Sequence, residues 1–97
     1  ILRGTVKAGG GKRYGSGWSS TKTATGKYRI TFTTPFNSPP SVTASQVQLG
    51  GDDDNIVLIN HSENSKCTVY IRDNNGSNAG DFEDDEFMFI AVGPVTQ

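Results

Sequence analysis

One stretch decides the fold of this chain: TGKYRITFTTPFNSPPSV, at residues 25–42. In its first half, Tyr28, Ile30 and Phe32 alternate with polar residues. Successive side chains of a β-strand point to opposite faces of the sheet, so this alternation predicts a strand with one buried face. Pro35 ends the strand, because proline has no N–H group to donate to the hydrogen-bond ladder.

The sequence also predicts the structure of the corner that follows this strand. Phe36 is expected to place an apolar ring at the corner, and Pro39-Pro40 to form a stiff turn into the next strand. The rest of the chain has similar short strands and polar turns, and nothing in it has helical period. We therefore predict an all-β protein, a six-stranded antiparallel β-sandwich. The predicted strands are 1–8, 28–33, 41–49, 55–62, 66–73 and 87–92.

Two segments between the first predicted strands lack a clear pattern. The glycine-rich segment 9–17 is expected to be a flexible loop, and 19–24 to be extended or irregular. Trp18 lies between them, and we expect it to close one end of the core rather than to stack on a ligand. In the strand 41–49 the alternation changes phase near Ser45-Gln46, which predicts a β-bulge or a change of partner strand.

Length and composition point to one small domain that needs support from outside. The 97 residues are only 33% hydrophobic, and the lone cysteine, Cys67, excludes an internal disulfide. Small domains with weak cores are usually stabilised by disulfides, metals or partner chains. We therefore expect residues 1–97 to form a single β-sandwich that assembles as a homotrimer. Because the chain begins at Ile1 without an initiator methionine, we expect it to be the C-terminal part of a longer protein.

The strand 55–62 gives a second reason to expect a partner. Ile56 and Leu58 are predicted to lie on one face, and Ile59 and His61 on the other. Apolar residues on both faces indicate that both faces are covered. In a small sandwich one face meets the opposite sheet, so the other face is expected to meet a neighbouring protomer.

The net charge is only −1, but the charges are unevenly distributed. All ten acidic residues lie at or after Asp52, and seven of the nine basic residues lie at or before Arg29. One interpretation is random clustering on a solvated surface, and the other is that the two surfaces face each other between protomers. The basic residues are not interleaved with stacking aromatics, so no nucleic-acid partner is expected. No apolar run is long enough to cross a bilayer, so no membrane insertion is expected.

Residues for catalysis and for metal binding are poorly represented. His61 is the only histidine, and no nucleophile-and-base motif surrounds it, so we expect no enzyme activity. The acidic runs 52–55 and 81–86 contain oxygen ligands that suit calcium, but neither has the spacing of an EF-hand loop. We expect solvated charge runs, with no metal and no cofactor.

The candidate ligand site lies at the predicted ends of two neighbouring strands. It comprises His61, Tyr70, Arg72, Asp73 and Asn74, the last of these opening an asparagine-rich loop. Planar donors and acceptors beside an aromatic face are the groups that recognise sugars. The alternative is that these residues are ordinary solvated strand ends.

The chain resembles two groups of proteins, and the two resemblances overlap along the sequence. Its resemblance to the H-type lectins, of the snail agglutinin and discoidin C-terminal type, is strongest over 28–73. The motifs that carry it are Ile30-Thr31-Phe32, Pro35-Phe36, Pro39-Pro40-x-Val42 and Gln48-Leu49 before an acidic turn. A second resemblance, to tip domains of phage tail fibres and related bacterial surface proteins, rests on Arg3-Gly4-Thr5-Val6, Gly15-Ser16-Gly17-Trp18 and Gly26–Phe32.

The resemblance to the H-type lectins implies a trimeric sandwich that binds N-acetylgalactosamine-type sugars between protomers. His61 would take the place of the lectins' sugar-contacting arginine, and Arg72 and Asp73 that of their Trp-His pair. No acidic residue precedes Trp18, where the lectins have one, and the lectins' cysteines are not matched as a set. The expected function is carbohydrate or receptor binding at the tip of a fibre or a multidomain surface protein. Its expected location is extracellular, on a cell surface or on a virion. The alternative is a structural cap that registers a stalk as a trimer without binding a ligand.

Overall fold

The structure, a computed structural model, describes residues 1–47, 55–73 and 80–94. The described part of the chain is all-β, as predicted, and forms eight strands rather than six. They are β1 (Leu2–Val6), β2 (Lys12–Gly15), β3 (Trp18–Ala24), β4 (Lys27–Phe32), β5 (Ser41–Gln46), β6 (Asn55–Ser62), β7 (Lys66–Asp73) and β8 (Phe87–Val92). No helix long and apolar enough to span a bilayer occurs among the described residues.

The eight strands form two four-stranded sheets. The first sheet has the order β2-β1-β8-β5 and the second has the order β3-β4-β7-β6. All neighbouring strands are antiparallel. One hydrophobic core, drawn from both sheets, lies between them. Each sheet therefore has an inner face toward this core and an outer face.

Strand β4 supplies the centre of the core, as its alternation predicts. Tyr28, Ile30 and Phe32 are buried, while Arg29 between them is exposed. Phe36 is also buried, and its ring packs edge-on against Phe32 with the centroids 5.1 Å apart. The predicted aromatic corner is confirmed.

The prediction of six strands is wrong because it omits β2 and β3. All four residues of β2 are exposed, and β3 buries only Trp18. Both are edge strands, and each pairs with one neighbour within the described residues. Such strands are held by backbone hydrogen bonds to β1 and β4, and their side chains have no apolar alternation that sequence reading can detect.

Strand β5 is shorter than predicted. It ends at Gln46 and pairs with β8 without a register shift, so no bulge interrupts it near Ser45. The N–H of Val47 then donates to the carbonyl oxygen of Glu86. The phase change in the sequence marks the end of the strand, and Leu49 lies outside the described residues.

Trp18 belongs to the hydrophobic core, as expected. Its side chain is buried, and its ring meets Phe89 edge-on at a centroid distance of 5.0 Å. Its indole N–H donates a 3.0 Å hydrogen bond to the carbonyl oxygen of Arg3. The ring passes directly over Gly4, where a side chain would have no room.

Candidate functional site

The predicted ligand site falls on the outer face of the second sheet. On β4, β6 and β7, residues that alternate with the buried core positions point away from the core. We call this surface the basic face. Its members are Lys27, Arg29, Ile56, Leu58, Lys66, Thr68, Tyr70 and Arg72.

An aromatic and cationic cluster lies at one end of the basic face. Phe82, in the segment that follows Gly80, pairs with Arg72 through an isolated β-bridge. The Arg72 guanidinium lies 4.0 Å from the centroid of the Phe82 ring. Lys27 Nζ lies 4.5 Å from the same centroid and 5.3 Å from that of Tyr70. The rings of Tyr70 and Phe82 meet edge-on, 5.4 Å apart, so the four side chains form one contiguous cluster.

The orientation of Arg72 is fixed by two contacts. One terminal N–H group donates a 2.8 Å hydrogen bond to the carbonyl oxygen of Gly80, and the guanidinium plane lies against Phe82. A guanidinium has five N–H donors in a rigid fork. The donors that Gly80 does not use are therefore presented in a defined orientation.

A β-bulge moves His61 to the outer face. The register between β6 and β7 shifts after Ile59, so that His61, with Asn60 as the extra residue, lies opposite Thr68. The prediction that His61 shares a face with Ile59 is wrong, because a one-residue insertion reverses the alternation that follows it. His61 Nε2 lies 3.1 Å from a carboxylate oxygen of Glu63.

The structure does not bring His61 to Arg72. Strands β6 and β7 are antiparallel, so the end of β6 lies beside the start of β7, not its end. His61 is opposite Thr68, which is four residues, or about 13 Å, from Arg72 along the strand. The basic face therefore joins Tyr70 and Arg72, with His61 at the far end of the same surface.

Asp73 and Asn74 complete the predicted site, and the structure describes the first of them. Asp73 has the parity of the buried residues Val69 and Ile71, so its side chain points toward the inner side of the sheet. Its backbone pairs with Asn55 at the end of β6. Asn74 lies outside the described residues. Ligand binding by the five residues of the predicted site stays a prediction.

Four cations of the basic face have no carboxylate partner among the described residues. Lys27, Arg29, Lys66 and Arg72 form no ion pair with a carboxylate among residues 1–47, 55–73 and 80–94. The carboxylate of Glu63, at the His61 end, is the one that the described ion pairs place at this face. All four charged side chains among the members of the basic face are therefore basic, although the whole chain has a net charge of −1.

The acidic segment 81–86 is bound to its own chain. Asp84 accepts hydrogen bonds of 2.7 Å from both Lys22 Nζ and the Gly26 N–H group. Glu86, which is 5% exposed, forms a 3.0 Å ion pair with Arg13. The basic early residues and acidic late residues thus meet within one subunit in two places, and their separation in the sequence does not require a second protomer.

Electrostatics around Asp84 reflect these contacts. Burial alone would raise the pKa of its carboxyl group, but the hydrogen bonds from Lys22 and Gly26 outweigh burial and lower the pKa. Tyr28, whose hydroxyl group donates to the Ala8 carbonyl at 2.6 Å, has its pKa raised to about 12 by burial and by the nearby Asp84 charge. At neutral pH the Asp84 carboxyl group is therefore ionised and the Tyr28 hydroxyl group is uncharged in the folded protein.

Asp85, in the same acidic segment, is also hydrogen-bonded within the chain. One of its carboxylate oxygens accepts hydrogen bonds of 2.7 Å from the side-chain amides of Gln46 and Asn55. Within the described parts of the chain, no three His, Cys, Asp or Glu side chains are grouped to hold a metal ion. The question of calcium binding at 52–54 lies outside the described residues.

The outer face of the first sheet has a different character. Met88, Ile90 and Val92 project from β8 and are 46%, 46% and 47% exposed. We call these three residues the apolar stripe. Beside them lies an open depression of about 450 Å³, whose lining includes one charged side chain, Arg3, and the exposed ring of Tyr14. Its other polar lining is short hydroxyl side chains, namely Thr5, Thr43 and Ser45.

Sequence reasoning missed Phe82 and the depression for different reasons. Phe82 is flanked by acidic residues in the sequence, and its β-bridge and ring contacts at the end of the basic face are seen only in the folded chain. The depression is formed by residues from β1, β2, β5 and β8, which are far apart in the chain. The apolar stripe had a signal, because β8 is apolar at every position from Phe87 to Val92.

Comparison of the chain with protein-family models, with curated proteins and with solved structures found no match. The fold and the surfaces described above are therefore the basis for any functional argument.

Proposed function

We propose that this domain is a non-enzymatic carbohydrate- or receptor-binding module at the tip of a fibre or multidomain surface protein. It would act as a homotrimer, in an extracellular, cell-surface or virion location. The observation that carries the proposal is a set of three neighbouring side chains on the basic face. There, an aromatic ring, an aliphatic side chain and an oriented guanidinium lie side by side on an open sheet: Tyr70, Leu58 and Arg72.

This combination suits the chemistry of a sugar. The apolar C–H face of a pyranose packs on aromatic and aliphatic side chains, and its hydroxyl groups need fixed polar partners. Leu58 is paired directly with Tyr70 across the strands, and 44% of its surface is exposed. Arg72 adds N–H donors whose direction is set by Gly80 and Phe82.

The shape of the site favours weak single contacts and multivalent binding. The basic face is the surface of a sheet rather than a deep pocket, so a single sugar would bury little of its area there. Linking several such faces raises the overall affinity without any new contact, because the second binding event becomes intramolecular. A trimer at the end of a fibre would provide this multiplicity.

A glycan array with the purified domain tests the proposal. Binding to at least one glycan is expected, and Tyr70→Ala and Arg72→Gln should each abolish it while the far-UV spectrum and Tm stay close to those of the parent. Lys7→Gln removes an exposed positive charge outside the basic face and should leave binding intact. A folded, correctly assembled domain that binds no glycan or surface polymer would contradict the proposal.

The second candidate is a structural cap that registers a trimeric stalk. The apolar stripe favours it, since half-exposed apolar side chains in a row are typical of protein–protein contacts. Deletion of the domain from its parent chain would then abolish trimer formation. Under this candidate alone, Tyr70→Ala and Arg72→Gln would have no effect on any property of the parent except its stability.

A further inference from the structure

We infer that the ligand of the basic face is an acidic polysaccharide. This inference rests on the proposed carbohydrate binding and names the class of carbohydrate. It is drawn from the number and the spacing of the cations on this face, and from their lack of a carboxylate partner within the described parts of the chain.

The four cations form a continuous array across two strands. Lys27 pairs with Tyr70, Arg29 with Thr68, and Lys66 with Thr31. Neighbouring strands are about 4.8 Å apart, and residues two apart on one strand are separated by about 7 Å. A charge therefore recurs at each step along the face, as it does along a polymer of acidic sugars.

The length of the array indicates a polymer rather than a single sugar. Lys66 and Arg72 lie at opposite ends of the outward-facing row on β7. Six residues of extended strand span about 20 Å, so no single monosaccharide reaches both ends. A chain of linked sugars can contact Tyr70 in the middle while its carboxylates, sulfates or phosphates meet cations on either side.

Among residues 1–47, 55–73 and 80–94, no ion pair joins these cations to a carboxylate of the protein. Asp84 and Glu86 are paired with Lys22 and Arg13, neither of which is a member of the basic face. Like charges left unpaired on one surface repel one another, and an external polyanion relieves that repulsion. A neutral polysaccharide would leave this charge uncompensated.

Nucleic acid fits the face less well than an acidic polysaccharide. Binding of single strands depends on a series of exposed aromatic rings for the bases. Here Tyr70 is the one ring among the members of the basic face, and Phe82 is already covered by Arg72 and Lys27. Duplex DNA is included below as a competing polyanion.

The test compares polymers that differ in charge. Polygalacturonate supplies carboxylates, dextran sulfate supplies sulfates, and unmodified dextran is neutral. We expect the intact domain to bind at least one acidic polymer and to lose most of that affinity between low and physiological ionic strength, because salt screens exposed charges. Binding to duplex DNA is expected to be at least about tenfold weaker per charge.

Two double variants isolate the basic face. Arg29→Gln with Lys66→Gln should weaken binding to the acidic polymer by about tenfold. Lys7→Gln with Lys12→Gln removes the same charge from the β1–β2 hairpin and should change binding less than about twofold. Equal losses in both variants, or equal binding of DNA, would overturn the inference in favour of a nonspecific polyanion effect.

The remaining outcomes separate this inference from the proposed function. Binding to neutral glycans that is insensitive to salt and to Arg29→Gln with Lys66→Gln would leave carbohydrate binding in place and overturn the acidic class. Failure to bind any acidic or neutral glycan would contradict both.

Discussion

Gly4 lies where the Trp18 ring crosses β1. A Cβ atom at this position would lie 2.0 Å from Cζ2 of Trp18 and 2.5 Å from Cε2. Trp18 is buried, and its hydrogen bond to Arg3 holds the ring in place, so the ring cannot move aside without disturbing its neighbours. A methyl group at Gly4 must therefore displace this buried side chain.

Gly4→Ala is predicted to lower the free energy of unfolding by about 3 kcal/mol, the upper part of the range for overpacked cores. Chemical denaturation monitored by Trp18 fluorescence measures the change. Gly9→Ala is the matched control, because nothing lies within 4 Å of a Cβ atom built there. A Gly4→Ala variant as stable as the control would show that Trp18 is not fixed over β1.

Asp84 is predicted to make stability depend on pH in acid. Its folded-state pKa is lowered, so its contribution is present above the unfolded pKa and is lost as the pH falls through the folded pKa. At neutral pH, Asp84→Ala should reduce the free energy of unfolding by about 1 kcal/mol, because a charged acceptor of two hydrogen bonds is removed from a partly exposed position. Denaturant titrations at neutral pH and below about pH 3 should show this difference shrinking in acid.

Lys22→Ala is the informative control for Asp84. It removes the ion pair but leaves the Gly26 N–H group bonded to the carboxylate. Its cost should be smaller, about 0.5 kcal/mol, since ion pairs with substantial exposure contribute little. If the two variants lost equal stability, the hydrogen bond to Gly26 would contribute nothing.

At the scale of strands, sequence patterns predicted the strands that bury apolar side chains in the core. The bounds of β6, β7 and β8 agree with the predicted ranges, and β4 differs by one residue at each end. Each of these strands has apolar residues on its inner face and turn residues at its ends. The edge strands β2 and β3 expose nearly all their side chains, so only their pairing with β1 and β4 defines them.

The candidate site shows what one strand pattern cannot reveal. Residues 56–59 are all apolar, so the sequence has no alternation that the bulge at Asn60 could interrupt, and it gives no signal of the change of face. The separation of His61 from Arg72 did have a signal. The short loop 63–65 between β6 and β7 predicts a hairpin, and a hairpin places the end of one strand beside the start of the next.

Tyr28 links three elements through one hydroxyl group. The hydroxyl donates to the Ala8 carbonyl, after β1, and accepts a 3.3 Å hydrogen bond from the N–H group of Asp85, before β8. Tyr28→Phe should cost about 1–2 kcal/mol, because it leaves a carbonyl and an amide without their partner. Thermal denaturation measures the loss.

Tyr14→Phe is the matched control for Tyr28→Phe. Tyr14 lies on β2 and is 68% exposed, so the loss of its hydroxyl group should leave Tm unchanged. Equal Tm values for the two variants would show that the hydroxyl of Tyr28 does not tie β4 to its neighbours.

For the whole molecule, the two outer faces divide by chemistry. The basic face combines cations with Tyr70, whereas the apolar stripe and the depression beside it include one charged residue, Arg3. Interface cores are depleted in charge and enriched in residues such as Met. If copies of the chain assemble as proposed, the first sheet is the surface that suits their contact, and the basic face is left open for ligand.

This division predicts opposite results from one substitution made on each face. Ile90, on the apolar stripe, and Leu58, on the basic face, are 46% and 44% exposed at the centre of their strands. Ile90→Lys places a charge in the proposed contact between copies and should reduce the mass measured by light scattering from three chains to one. Leu58→Lys adds the same charge on the opposite side and should leave the assembly intact. Dissociation by Leu58→Lys alone would show that the contact lies on the second sheet and not on the first. A parent chain that is already a folded monomer when dilute would exclude the trimer.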